Sequence, residues 1–146
     1  DDCVEFFNWA NDPVVREQSL STSTIQWLHH KKWFSEKISS NTCEMYVMET
    51  SGLPVGQVRF EKSGDLAEIN YSLDKIVRNR RWASLMLRIS IKLFGQRSTS
   101  TLKARVKSIN TSSASVFKQL GFSKVFSEDP TMLIFQLEGE STVIKK

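Results

Sequence analysis

The densest set of chemistry-bearing side chains lies in Glu68-Ile69-Asn70-Tyr71-Ser72-Leu73 and, four residues on, Arg78-Asn79-Arg80-Arg81-Trp82-Ala83. A strand that runs through a short loop into a helix aims several backbone N–H groups at one point, reinforced by the helix dipole. Arg78, Arg80 and Arg81 add guanidinium forks that match phosphate oxygens. A pyrophosphate suits such a site, although a solvated basic turn or a nucleic-acid patch would have the same composition. A second group, Asn110-Thr111-Ser112-Ser113, opens another helix. Asn110 and Ser113 can cap that helix, bond a ligand, or do both.

Two groups near the first junction can move a proton. Glu68 could act as a general base through water. Its alternation with Ala67, Ile69 and Tyr71 can equally place it on the opposite face of the sheet. Tyr71 is the other carrier, unless its hydroxyl is simply buried and satisfied. In the N-terminal third, Trp9 and Trp33 could stack on a ring or fill the core. Arg16 could meet a diphosphate or pair with Glu17 or Asp12. His30 could be a base or an inert surface histidine beside His29.

The elements that must position these residues follow from periodicity. Residues 2–10 read as a helix, broken at Asn11-Asp12-Pro13, with a short helix starting at Pro13. Ser21 to Thr24 offer N-caps for a helix through Ile38. Glu44–Glu49, Pro54–Lys62 (with a bulge) and Ala67–Leu73 read as strands joined by turn residues, an antiparallel meander. Trp82–Phe94 reads as a helix with Leu85, Ile89 and Phe94 on its apolar positions, ending at Gly95. Strand Thr101–Lys107, helix Ser112–Leu120 closed by Gly121, and strands Phe122–Phe126 and Met132–Leu137 complete the order. The fold class is therefore α/β in the α+β sense: one domain, a mixed and mostly antiparallel sheet, flanked by helices.

Composition narrows the partners. The 146 residues carry +4 overall, but 1–74 is net −6 and 75–127 is net +12 without a single carboxylate. An anionic partner for that second block is the first expectation. Two distant cysteines and two adjacent histidines support neither a disulfide framework nor a metal site. A reduced, cytoplasmic setting is expected, with no membrane partner, since the apolar runs fall far short of about 20 residues. The chain starts at Asp1 without Met, which fits a processed chain or an excised domain.

Taken in order, these segments resemble the GNAT superfamily of N-acetyltransferases. Arg78 and Ala83 match the first and last positions of its phosphate loop, Arg/Gln-x-x-Gly-x-Gly/Ala. Asn110, Ser113 and Gly121-Phe122 match its later motif. Three positions depart: Asn79 and Arg81 stand where glycines are common, and Phe117 stands where many relatives carry a tyrosine acid. Arg81 is expected in ordinary helical geometry, adding a phosphate contact. The segment Trp9-Ala10-Asn11-Asp12-Pro13-Val14-Val15-Arg16, with His30-x-x-Trp33-Phe34, looks most like the amino-sugar branch, beside the ribosomal-protein N-terminal acetyltransferases. The family's first strand would precede Trp9 and is absent from the sequence.

The resemblance implies acetyl transfer from acetyl-CoA to a primary amine, here the 4-amino group of a nucleotide-linked deoxy sugar of the pseudaminic-acid type. A peptide N-terminus, or a non-catalytic module that binds CoA or nucleic acid, is the alternative. Ser72, Leu73, Arg78 to Ala83, Asn110, Ser113 and Phe117 would hold the cofactor. Glu68, Tyr71 and Ser113 would do the chemistry, and Trp9, Asn11, Arg16, His30 and Trp33 would meet the acceptor. No metal and no nucleic-acid partner are expected, and a homodimer is compatible.

Overall fold

The computed structural model describes residues 1–78 and 81–139. Helix α1 (Asp2–Ala10) is capped by Asp1, whose side chain accepts from the Cys3 amide at 3.0 Å, and buries Cys3, Phe6 and Trp9 at a helical spacing. Asp12 caps α2 (Pro13–Gln18), with Pro13 at the first helical position. Helix α3 spans Trp27–Ser39. Its N-cap is Gln26, without a side-chain bond, so the Ser21–Thr24 run is not the cap. That run is instead held by Arg16, whose guanidinium donates to the carbonyls of Ser21 (3.0 Å) and Ser23 (3.2 Å).

Strands β1 (Cys43–Thr50), β2 (Leu53–Ser63) and β3 (Leu66–Leu73) form the expected meander. The first hairpin turns at Ser51-Gly52, both at positive φ, as a two-residue loop between right-twisted strands prefers. Met48 pairs with Gly56 and Glu49 with Pro54, which leaves Val55 as the extra residue of a bulge in β2. Helix α4 (Trp82–Gly95), β4 (Thr101–Lys107), α5 (Thr111–Gln119), β5 (Ser123–Val125) and β6 (Met132–Leu137) follow. The six strands lie in the order β1-β2-β3-β4-β6-β5.

The two faces of the sheet differ. Val58, Phe60, Ala67, Ile69 and Leu73 face α4 and α5 and form the main core, where Phe60 and Phe94 stack at 4.3 Å and 3°. Gly56 on this face lies against α4, and a Cβ there would stand 2.9 Å from both Leu73 and Met86. The buried face of α4 is Met86, Leu87, Ser90 and Phe94; Leu85 and Ile89, expected to be apolar contacts, are exposed. The opposite face carries the cross-strand pairs Gln57/Ser72, Arg59/Asn70 and Glu61/Glu68. Helices α1 and α3 lie over that side, with the Arg59 guanidinium 4.9 Å from the Trp33 ring centre and Lys37 2.6 Å from Glu61.

One irregularity makes the site. Strand β3 pairs with β4 in parallel through only three rungs, Leu66/Thr101, Ala67/Leu102 and Glu68/Lys103. Beyond them β3 keeps β2 on one side, and its other edge from Ile69 to Leu73 has no strand partner among the described residues.

Candidate active site

A cleft of about 830 Å³ occupies the opening between the diverging strands. Its walls include Tyr71, Ser72 and Leu73 from β3, Arg81 and Ala83 at the start of α4, and Asn110, Ser113 and Phe117 from α5. Segments far apart in sequence meet here because the β3–β4 ladder stops at Glu68 and two helix N-termini point into the gap.

Tyr71 and Ser113 are brought together, Oη to Oγ, at 2.9 Å. Burial pushes the Tyr71 phenol up from its ordinary value, outweighing the opposing effect of the Ser113 bond, so at neutral pH it is a proton donor. The Phe117 ring lies edge-on to Tyr71 at 5.8 Å, within an aromatic stack that includes Phe122 and Phe135. Asn110 caps α5 through the Ser113 amide at 3.2 Å and also lines the cleft. Glu68 lies on the other face of β3 from Tyr71, 2.6 Å from the Arg105 Nε.

The loop arginines divide. Arg78 spans Asp12 Oδ1 and the Leu73 carbonyl, each at 3.1 Å, so its guanidinium ties the α1–α2 elbow to the end of β3. Asn79 and Arg80 lie outside the described residues. Arg81 is not in helical geometry: it is the N-cap of α4 at φ 54° and ψ 4°, the left-handed conformation that glycine adopts without strain. Its side chain borders both the cleft and a smaller basic hollow with Trp82, Arg88 and Gln119. An L-residue in that region costs about 1 kcal/mol. Arg81→Gly is therefore expected to raise stability by about 1 kcal/mol in urea unfolding. A loss of stability would show instead that the guanidinium holds the loop.

The N-terminal candidates are mostly committed to internal bonds. Trp9 is buried, donates its indole N–H to Asp74 Oδ2 at 3.0 Å, and does not reach the cleft. Asn11 also lies off the cleft and clamps Ile25, accepting from its amide at 2.8 Å and donating to its carbonyl at 3.0 Å. Arg16 reaches the cleft wall but spends its donors on Ala10, Ser19, Ser21 and Ser23. His30 is buried rather than on the helix surface; Nε2 lies 2.9 Å from the Cys3 carbonyl and the ring sits among Phe7, Trp27, Trp33 and Phe34. Burial lowers its pKa against the raising effect of that bond, which keeps it neutral. Trp33 lines the cleft beneath Arg59.

Sequence reasoning missed Gln57, Arg59 and Arg105, which line the cleft, and Asp12 and Asp74, which brace its rim. A signal was present for Gln57, a lone amide inside the run Val55-Gly56-Gln57-Val58 that is buried throughout. Among the described residues no three His, Cys, Asp or Glu side chains converge as metal ligands, and no helix is long and apolar enough to cross a membrane.

With this geometry in place, residues 1–123 match the acetyltransferase (GNAT) domain family, and the chain belongs to it. It is by class an acetyl-CoA-dependent N-acetyltransferase. Solved structures share the fold at low identity. A ribosomal-protein-alanine N-acetyltransferase from Brucella melitensis is 15% identical, with TM-score 0.78 and 94% of each chain covered. A Staphylococcus aureus Mu50 N-acetyltransferase is 17% identical, with TM-score 0.80 and coverage of 95% of this chain and 93% of that one. A spermidine N-acetyltransferase from Vibrio cholerae, solved with CoA and spermine, is 10% identical, with TM-score 0.81 and coverage of 94% and 90%. Among curated protein sequences none matches significantly.

Proposed function

We propose that the chain acetylates a primary amine carried on an anionic small molecule, a nucleotide-linked 4-amino deoxy sugar being the acceptor that its N-terminal motif favours. The observation that carries this reading is the charge of the cleft. Arg16, Arg59, Arg78, Arg81 and Arg105 line it against two carboxylates, Glu61 and Glu68. Both carboxylates already face cations: Glu61 faces Lys37 at 2.6 Å and Arg59 at 3.2 Å, and Glu68 faces Arg105 at 2.6 Å. Burial pushes the Glu61 carboxyl up, but Lys37 and Arg59 outweigh it and hold the pKa below the usual value. Arg78 likewise faces Asp12, so among the described residues the lining carboxylates are all paired and the positive charge left without a carboxylate is that of Arg16 and Arg81, which favours a diphosphate over a polyamine.

The residues present fit CoA. The free edge of β3 offers backbone groups to an extended pantetheine arm, and the N-termini of α4 and α5 face the same gap. Acetyl-CoA supplies the acetyl thioester. The amine nitrogen bonds to the acetyl carbon as the carbon–sulfur bond breaks, and the amine's proton leaves to water. Backbone N–H groups of Tyr71 and Leu73, on the edge of β3 away from β2, polarise the carbonyl, and Tyr71 Oη, relayed by Ser113, protonates the departing sulfur. Holding amine and thioester in one cleft supplies much of the rate.

The test is steady-state acetylation of three probes: a nucleotide-linked 4-amino sugar, an Ala-initiated peptide and spermidine. Highest kcat/KM for the sugar nucleotide is expected. Preference for the peptide would move the reading to protein N-termini, and no turnover of any probe, with no calorimetric binding of acetyl-CoA, would defeat it.

A further inference from the structure

Gln57 presents a polar atom that the fold leaves unsatisfied. It lies in the middle of β2, opposite Ser72 of β3, and is 5% exposed. Its Nε2 donates to Ser72 Oγ at 3.0 Å, which fixes the plane of the amide. Its Oε1 is buried and has no hydrogen-bond partner among the described residues, and the side chain lines the cleft. A buried acceptor without a donor is costly enough that native folds rarely keep one without a use. The neighbouring residues in β2 are Val55, Gly56 and Val58, so an apolar side chain would have satisfied packing alone.

We infer that Gln57 Oε1 receives an N–H of the acceptor amine and so orients its lone pair toward the acetyl carbon. This rests on the acetyl-transfer reading above. The location supports it: Gln57 is the cross-strand partner of Ser72, within the stretch of β3 whose free edge faces the gap. It lies on the α1–α3 face, opposite the Tyr71–Ser113 pair, so the amine approaches from one side of the sheet and the sulfur is protonated from the other. Gln57 remains neutral throughout. It accepts one amine hydrogen, while the proton lost on bond formation goes to water. Glu61 and Glu68 cannot take this place as they stand, because each is already paired with a basic side chain.

The experiment compares Gln57→Leu, Gln57→Glu and the wild type for kcat/KM toward the amine, acetyl-CoA affinity by calorimetry, and melting temperature. The amine is the sugar nucleotide, or the Ala-initiated peptide if that is the probe turned over. Leucine removes the acceptor at similar volume, so kcat/KM for the amine should fall about 10- to 50-fold, with acetyl-CoA affinity unchanged. The melting temperature should change little, since loss of the bond to Ser72 is offset by removal of the unsatisfied oxygen. Glutamate keeps an oxygen at the same place and should recover most of the lost kcat/KM. Unchanged turnover in Gln57→Leu would overturn the inference while leaving acetyl transfer intact. So would a fall in turnover matched by a fall in melting temperature, or a Gln57→Glu variant as poor as the leucine one. A wild type that turns over no amine would remove the reading beneath it.

Discussion

Tyr71→Phe is expected to lower kcat about 100-fold, within the range general acid catalysis contributes, while KM for acetyl-CoA changes little. The phenol sits 2.9 Å from Ser113 Oγ, and burial raises its pKa, so it stays protonated across the neutral range. In the wild type, kcat should therefore show no alkaline fall below pH 10, the ordinary phenol value. Phe117 stands where the family resemblance places a tyrosine in many relatives, and its ring packs edge-on to Tyr71. Adding Phe117→Tyr to Tyr71→Phe should thus recover part of the activity. A Tyr71→Phe enzyme within threefold of wild type would show that the leaving sulfur takes its proton from water.

Asp12→Ala should destabilise the fold by about 2–3 kcal/mol, the sum of a lost N-cap and a lost charged hydrogen bond. That corresponds to a fall in Tm of roughly 5–10 °C for a chain of this size. One Asp12 oxygen accepts from the Val14 amide at 3.0 Å and faces Arg78 at 3.1 Å. Asp12→Asn retains the cap and removes the ion pair, so it should lose about half as much. Both variants should raise KM for acetyl-CoA, because Arg78 then loses one of the two anchors that hold the loop before α4. Burial pushes the Asp12 carboxyl up, but Arg78 and the backbone amides prevail and the net pKa lies below 3.8. A lowered carboxyl pKa gives stability that is present above about pH 3.8 and lost as the pH falls through the folded value. The Asp12→Ala enzyme should accordingly show a shallower acid limb in its unfolding midpoint. An unchanged Tm would mean the ion pair contributes nothing.

The elements were legible because their signals are local. Alternation in Ala67–Leu73, the Ser51-Gly52 turn and the Pro13 start of α2 depend on neighbours within a few residues, and each appears within a residue or two of its expected bounds. Structure departs from local preference where a distant partner overrides it. The Ser21–Thr24 run has the composition of a cap, but Arg16 and Asn11 hold the loop away from α3. Leu85 and Ile89 carry apolar periodicity, yet α4 rolls its Met86–Ser90–Phe94 stripe onto the sheet because Gly56 leaves room for Met86. Arg81 was expected in helical geometry. The N-cap of α4 is left-handed, at φ 54°, whatever its side chain prefers.

The order of elements, the two helix N-termini rich in anion-binding groups, and the segregation of positive charge into residues 75–127 are written in the residues alone. These follow from side-chain type and spacing along one chain. Where that chemistry meets depends on packing between distant segments. The β3–β4 ladder ends after three rungs, and the gap joins Tyr71 to Ser113 across 42 positions. The same packing draws Trp9, Asn11 and His30 into internal bonds and leaves the buried Gln57 Oε1 without a partner among the described residues. Whether a polar side chain is satisfied or available depends on partners the fold brings from elsewhere in the chain, and no spacing rule contains that information.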